Sequence, residues 1–347
     1  MNYSIIKKIP SPDEIIAAAP LSAKAYVDIE RHRTEIKAIL SGQDQRMLVI
    51  VGPCSAWPES AVLDYAQRLK ALSDQVNQAL KIVMRVYIQK PRTTKGWIGP
   101  VNQPDPFAYP DIEAGIKYAR KMMVKVVEMG LPIADEALFT HNARGFLELL
   151  SWVAIGARSA EDQEHRIFAS AINCPVGLKN PTHGSLEVGV NSVIAAQYPH
   201  VAVLNGCEVQ THGNNYAHLV LRGSKSGPNY STTHLHEVKE RMLQQKIKNP
   251  AVIVDVSHDN CLRNGKKDPL IQAQIVTEIV ENLKKNPELK MLVKGLMIES
   301  YIKEGCQNID TLAPDTIDMN GLSITDPCLG WDQTKALVLK LAEELTQ

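Results

Sequence analysis

The chain has 347 residues, with 38 lysines and arginines against 38 aspartates and glutamates and a hydrophobic fraction of 44%. A formal net charge of zero excludes a global pull toward nucleic acid or an anionic membrane surface, so any cationic chemistry has to be local. Six cysteines are too few for a disulfide scaffold in a chain this long, which points to a reducing, cytoplasmic setting. The opening MNYSIIKKIPSPDE carries charge and proline where a signal peptide needs an apolar stretch, and no run approaches the ~18 apolar residues of a membrane span.

In chain order, residues 1–45 precede the first apolar run and read as a helical N-terminal extension, and 46–347 as a single catalytic domain. Strands are expected at Met47–Pro53, Ile82–Ile88, Ile133–Ala137, Val153–Ala157, Val176–Lys179, Leu219–Arg222, Val252–Ser257 and Val293–Ile298. Helical patterns occupy 59–79, 111–129, 141–151, 160–172, 185–197, 232–247, 268–286 and 332–345. Strands that are mostly apolar and alternate with helices imply parallel strands covered by helices. Eight such units in a domain of this length predict an α/β fold of the (β/α)8 TIM-barrel type. Val201–Leu204 and Val209–Thr211 read as an extra β-hairpin inserted before strand six.

Barrel chemistry sits at the carboxyl ends of the strands, and here nearly every end carries a charged or metal-capable residue. Cys54 follows strand one, Arg85 to Thr94 ends strand two, Glu136 lies on strand three and Arg158 ends strand four. Lys179 ends strand five, Arg222 strand six, Asp255-Val256-Ser257-His258 strand seven, and Glu299 strand eight. The densest stretch is RVYIQKPRTTKGW (85–97), where Arg85, Lys90, Arg92 and Lys95 supply cations, Thr93 and Thr94 hydroxyls, and Pro91 a stiff turn. Guanidinium forks grip phosphate or carboxylate oxygens at two points and lysine adds a movable charge, so the loop suits a small, multiply charged anion such as a sugar phosphate. Taken alone, a solvated basic loop is the plainer reading of such a run.

Two constellations emerge. Cys54, His258, Glu299 and Asp326, the last in SITDPCLGW before the final helix, make a mixed N/O/S donor set suited to Mn²⁺, Fe²⁺, Co²⁺ or Zn²⁺. Each also has a duller role open to it: Cys54 as a small buried hydrophobe, His258 as a hydrogen-bonded core histidine, Glu299 and Asp326 as helix caps. Cys261, three residues after His258, and Cys207, five before His212, fall in loop or hairpin and stay outside the set. The second constellation is a cation ring of Arg85, Lys90, Arg158, Lys179 and Arg222, which would repel itself unless anions fill it. Glu136 can neutralise one or two of these, and the remaining excess favours a substrate bearing both phosphate and carboxylate.

The runs VGPCS (51–55), RVYIQKPRTTKGW (85–97), GLP (130–132), SWVAIGARSAEDQEHR (151–166), CPVGLKN (174–180), LRGSKSGPNYS (221–231), DVSHDN (255–260), MIES (297–300) and SITDPCLGW (323–331) resemble the type I 3-deoxy-D-arabino-heptulosonate 7-phosphate (DAHP) synthases, in their phenylalanine- and tyrosine-sensitive-like branch. The resemblance spans nearly the whole chain from about residue 35. It implies a barrel that condenses phosphoenolpyruvate with D-erythrose 4-phosphate and water, giving DAHP and phosphate, the first step of the shikimate pathway. It implies one divalent metal ion on Cys54, His258, Glu299 and Asp326, and phosphoenolpyruvate on Arg85, Lys90, Arg158, Lys179 and Arg222, with Glu136 among them. It places Arg92 and Thr93 at the erythrose 4-phosphate site, with Pro91 shaping that loop. Lys90 becomes the candidate proton donor, Cys54 a partly ionised thiol, and the assembly a homodimer or homotetramer.

The chain also departs from the pattern. Ala56-Trp57-Pro58 follows VGPCS where many such enzymes have a small apolar residue and then histidine, and PDPFAYPDI follows Trp97 in place of a PH-rich stretch. The region Val201 to Ala217 is about five residues shorter than in feedback-regulated enterobacterial members, and the N-terminal extension is shorter too. Those elements build the aromatic amino acid pocket there, so inhibition by phenylalanine or tyrosine is expected to be weak or absent. KPRTT argues against the sister 3-deoxy-octulosonate 8-phosphate synthases, which use arabinose 5-phosphate. The full set of ligands and cations argues against a non-enzymatic binding paralogue.

Overall fold

In a computed structural model, which describes residues 1–92, 95–138 and 145–346, eight parallel strands close into a barrel. They are β1 (Met47–Gly52), β2 (Leu80–Arg85), β3 (Ile133–Glu136), β4 (Leu150–Ile155), β5 (Val176–Lys179), β6 (Ala217–Leu221), β7 (Val252–Asp255) and β8 (Val293–Glu299). Each strand pairs with its neighbour in sequence, and β8 returns to β1, setting Gly52 opposite Glu299. Helices α1 (Pro12–Ala18) and α2 (Ala23–Ser41) precede the barrel. The helices α3 (Glu59–Val76), α4 (Ile112–Glu128), α5 (Gln163–Ala171), α6 (Leu186–Gln197), α7 (Thr232–Gln244), α8 (Ile271–Lys285) and α10 (Trp331–Thr346) follow seven of the strands, with a short α9 (Pro287–Leu292) after α8. Asp111, Asp162, Ser185 and Ser231 start four of these helices by accepting a backbone N–H at the N-cap. Among the described residues no helix is long and apolar enough to cross a membrane.

The two-residue period of a strand sorts the side chains into two layers. Val49, Val51, Ile82, Met84, Val153, Ile155, Leu219, Leu221, Leu296 and Ile298 join the large core shared with the helices. Their neighbours Leu48, Ile50, Val83, Ala134, Trp152, Ala154, Val220, Ile253 and Met297 form a second cluster inside the barrel, plugged from below by Ile36, Ile39 and Leu40 of α2. A Cβ on Gly177 would lie 2.2 Å from the Trp152 ring, so that indole fills the interior only because β5 has no side chain there. Two residues further along six of the strands, the inward positions turn polar, and in β1 and β4 they are Gly52 and Gly156. Val83 leads to Arg85, Ala134 to Glu136, Gly177 to Lys179, Val220 to Arg222, Ile253 to Asp255 and Met297 to Glu299. The fold thus aims an apolar layer and then a charged layer at one mouth.

Buried histidines near the other end give the fold a pH response. The Trp152 indole N–H donates to His218 Nε2 over 3.1 Å, and the Lys81 ammonium donates to His32 Nδ1 over 2.8 Å. Both donors lack a lone pair, so each ring nitrogen must accept and both imidazoles are held neutral. Burial pushes both down to about 4. Their folded values lie below the unfolded one, so the unfolded chain takes up more protons as pH falls. Stability should therefore be full above pH ~6.5 and decline toward pH 4 by about 1.4 kcal/mol per pH unit for each histidine. Urea melts at intervals between pH 7 and 4.5 check this, and His218→Gln should shrink the slope; a flat profile would contradict it.

Two differences from the sequence reading concern α9, where no element was expected, and the third crossover, where a helix was. No α-helix lies there among the described residues: Leu147–Leu149 is a single 3₁₀ turn and β4 starts at Leu150, earlier than the expected Val153. Residues 141–144 of the expected helix lie outside the described residues. Arg33 donates to the carbonyls of Leu147 and Leu150, and Arg120 donates to that of Gly145, so arginines satisfy groups a helix would have paired. The inserted hairpin is present as Val201–Leu204 and Cys207–Gln210, joined by Asn205-Gly206 at φ 53° and 76°, the positive values a tight two-residue hairpin turn requires.

Candidate active site

The charged layer is buried and internally paired. Arg85 is wholly buried, donates to Glu299 Oε1 at 2.9 Å and stacks 4.0 Å over the Tyr87 ring. Lys179 of β5 lies 3.7 Å from Glu136 of β3 and 3.5 Å from Asp255 of β7. Strands two places apart can touch only across the interior, so these contacts fix the side chains as inward-facing. A Cβ on Gly156 would come within 2.3 Å of Glu136 Oε1, so this glycine keeps the carboxylate in place. Beyond β6, Arg222 donates to Asp259 at 2.5 Å. The cation ring is thus countered by Glu136, Asp255, Asp259 and Glu299, where the sequence reading allowed for Glu136 alone.

At the β1–β8 edge, ligand atoms of Cys54, Glu299 and Asp326 lie within 4.8 Å of one another. Glu299 Oε2 is buried with no hydrogen-bond partner. His258 stands beside this trio, its Nε2 3.7 Å from Glu299 Oε1. Its Nδ1 lies 2.8 Å from both Asp255 Oδ2 and Ser257 Oγ. Burial lowers His258 below its ordinary pKa, although Asp255 and Glu299 pull it back up. Lys90 donates to the Cys54 carbonyl at 2.7 Å and approaches the Cys54 sulfur at 3.1 Å. Burial pushes the Cys54 thiol up to about 11, Glu299 adds to this, and Lys90 only partly opposes it. The neighbouring cations lower the thiol's pKa but do not outweigh burial, and a bound divalent cation would add the charge that ionises it.

Above the trio opens a cavity of about 330 Å³. Lys90, Arg92, Lys95, Arg158, Lys179, Arg222 and Lys267 line it against two carboxylates, Glu136 and Asp326, with His258 at its edge. Among the described residues, seven cations to two anions is a lining for phosphate, not for an apolar ligand.

The sequence profile of the family described as the DAHP synthetase I family matches residues 20–339. The chain belongs to this DAHP synthetase I family. It is 40% identical over 341 residues to the Tyr-sensitive phospho-2-dehydro-3-deoxyheptonate aldolase of Salmonella typhimurium, covering 97% of this chain and 93% of that one. It is 38% identical over 343 residues to the Phe-sensitive enzyme of Escherichia coli strain K12, covering 97% and 94%. The solved structure of the phospho-2-dehydro-3-deoxyheptonate aldolase from Francisella tularensis SCHU S4 superposes with a TM-score of 0.92 at 34% identity, covering 99% of each chain.

In this DAHP synthetase I family member, Cys54, Arg85, Lys90, Glu136, Arg158, Lys179, Arg222, His258, Glu299 and Asp326 meet at one mouth, as does Arg92; Thr93 and Thr94 lie outside the described residues. Asp255, Asp259 and Lys267 were given no role from sequence. Asp255 holds both Lys179 and His258, and the signal for it is an acid two residues after Ile253 in an otherwise apolar strand. Lys267 donates to Asp326. Burial raises the Asp326 pKa, but Lys267 and His258 outweigh it and hold the carboxyl below the usual range. No local pattern marks Lys267, which a two-stranded turn at Leu262–Lys267 carries to the site.

Proposed function

We propose that this mouth binds one divalent metal ion and two phosphorylated substrates, and condenses phosphoenolpyruvate with D-erythrose 4-phosphate and water to give DAHP and phosphate. The observation that carries the reading is a thiol–carboxylate trio within 4.8 Å, one member of which, Asp326, lines a cavity together with seven described cations. The residues fit a metal: Glu299 Oε2 is buried without a partner, and the contact of His258 Nδ1 with Asp255 leaves Nε2 free to ligate. Cys54, Glu299, Asp326 and His258 would hold Mn²⁺, Fe²⁺, Co²⁺ or Zn²⁺, which supplies Lewis acidity toward the aldehyde oxygen.

The chain's own residues do the rest. Arg85, Arg158, Lys179 and Arg222 hold the phosphate and carboxylate of phosphoenolpyruvate, and Arg92 with Thr93 holds the sugar phosphate. The methylene carbon of phosphoenolpyruvate bonds to the aldehyde carbon, water adds to the carbon bearing the ester oxygen, and phosphate leaves. Lys90, whose burial penalty is outweighed by Cys54 and Glu299 so that its pKa is raised, stays protonated and gives its proton to the new alkoxide. The test is turnover of chelated protein titrated with Mn²⁺. Activity rising to one equivalent supports the reading, and full activity after chelation contradicts it.

A homodimer or homotetramer is the assembly proposed, supported by exposed apolar side chains at Tyr3, Ile5, Ile6, Val201 and Val203. The cytoplasm is the compartment proposed, supported by six free cysteines. Phenylalanine and tyrosine should inhibit weakly or not at all, a reading supported by the sequence of the hairpin region, which reads as shorter than the one that frames such a pocket in feedback-regulated members. Half-inhibition by either at low micromolar concentration would overturn this.

A further inference from the structure

An aromatic knot outside the barrel ties together the three segments that carry the site. Trp57 and Trp97 pack edge to face at 6.5 Å and 67°, are 5% and 4% exposed, and form a separate cluster with Ile317 and Ile324. The Trp57 indole N–H donates to the Pro104 carbonyl at 3.0 Å, and that of Trp97 to the Gln103 carbonyl at 2.8 Å. The base of the cationic loop is itself laced: Lys90 N–H donates to the Ile98 carbonyl at 2.9 Å and Val101 N–H to that of Ile88 at 3.3 Å. Tyr301 donates to the Trp57 carbonyl at 3.0 Å, and Ser55 Oγ lies 2.9 Å from Thr325 Oγ1. Trp57 is three residues after Cys54, Ile324 two before Asp326, and Trp97 five after Arg92.

We propose that Trp57 and Trp97 are positioning residues for the acceptor aldehyde. They set the distance between the metal ligands Cys54 and Asp326 and the loop that holds the sugar phosphate. This rests on the function proposed above. The aldehyde end of the acceptor is bound by one pair of segments and its phosphate by the third, so the knot fixes the length of aldose phosphate that fits. Phosphoenolpyruvate is held chiefly by Arg85, Lys179 and Arg222, which project from the barrel strands or their ends and do not depend on the knot.

The experiment compares Trp57→Leu and Trp97→Leu with Trp57→Phe and Trp97→Phe, each checked for a cooperative melt. In the leucine variants KM for erythrose 4-phosphate should rise by about tenfold or more, with KM for phosphoenolpyruvate within about twofold of wild type. Relative turnover with arabinose 5-phosphate should rise, and the phenylalanine variants, which keep an aromatic contact, should recover most of the loss. Equal rises in both KM values, a fall in kcat alone, or wild-type constants would overturn the inference. If the leucine variants do not fold, the phenylalanine variants decide: a rise of about threefold confined to erythrose 4-phosphate supports it, and an unselective or absent change overturns it. Wild-type protein inert toward both substrates would sink the functional reading first, and this inference with it.

Discussion

Cys54→Ala should leave a folded protein that no longer binds a divalent metal and no longer turns over. The substitution deletes one buried sulfur, a change worth on the order of 1 kcal/mol, and keeps the backbone carbonyl to which Lys90 donates. Metal affinity should fall by more than the roughly 10–100-fold that follows loss of a group merely supporting a ligand. Turnover at low metal should fall by at least about 10³-fold. Co²⁺ gives a second readout, since a thiolate ligand produces a near-ultraviolet charge-transfer band that the variant must lack. Cys261→Ala is the control: its sulfur is buried close by and donates to the His258 carbonyl, but is not among the grouped ligand atoms. Unchanged metal affinity in Cys54→Ala, or equal loss in Cys261→Ala, would remove Cys54 from the site.

Lys179→Met should be more damaging, because one ammonium separates two buried carboxylates. It lies 3.7 Å from Glu136 and 3.5 Å from Asp255, with all three residues no more than 5% exposed. Breaking such a buried pairing costs about 3–5 kcal/mol, since the remaining charges have no compensation. In wild type, burial raises the Asp255 pKa, but His258 and Lys179 outweigh it and bring it well below the ordinary carboxylate value. Without Lys179 the two buried carboxylates repel, and Asp255 loses one of the cations that hold its pKa down. The deficit in stability is then full at neutral pH and shrinks as pH falls and Asp255 protonates. Turnover should drop by about 10²–10³-fold, with a higher KM for phosphoenolpyruvate, as when a charge-stabilising donor is lost. Urea melts of variant and wild type at pH 7 and pH 5 check the stability arm; a deficit that grows on acidification would contradict it.

The barrel and most of its mouth are legible in the sequence for one physical reason. In a barrel covered by helices nearly every strand residue is buried and every second one faces the interior, so a charge at the end of an apolar run, such as Arg85 after Ile82-Val83-Met84 or Glu299 after Leu296-Met297-Ile298, has to serve a site. Elements set by long-range contacts were not legible. The Leu147–Leu150 stretch has helical composition, yet pairing of Leu150 with Ile133 and donation from Arg33 draw it into a turn and a strand. The short α9 begins at Pro287, directly beyond the helix expected over 268–286, in a stretch of six residues too short to show a helical period. Lys267 reaches Asp326 across 59 residues of sequence, and Trp57 meets Trp97 across 40, separations at which no periodicity carries information.

The most direct test of the account follows phosphoenolpyruvate absorbance in the presence of erythrose 4-phosphate and Mn²⁺, then after EDTA, with arabinose 5-phosphate in parallel. The account predicts consumption with stoichiometric phosphate release, arrest by EDTA and recovery with added Mn²⁺. Turnover with arabinose 5-phosphate alone would move the chain to the sister specificity. Turnover indifferent to EDTA would contradict the metal centre at Cys54, His258, Glu299 and Asp326.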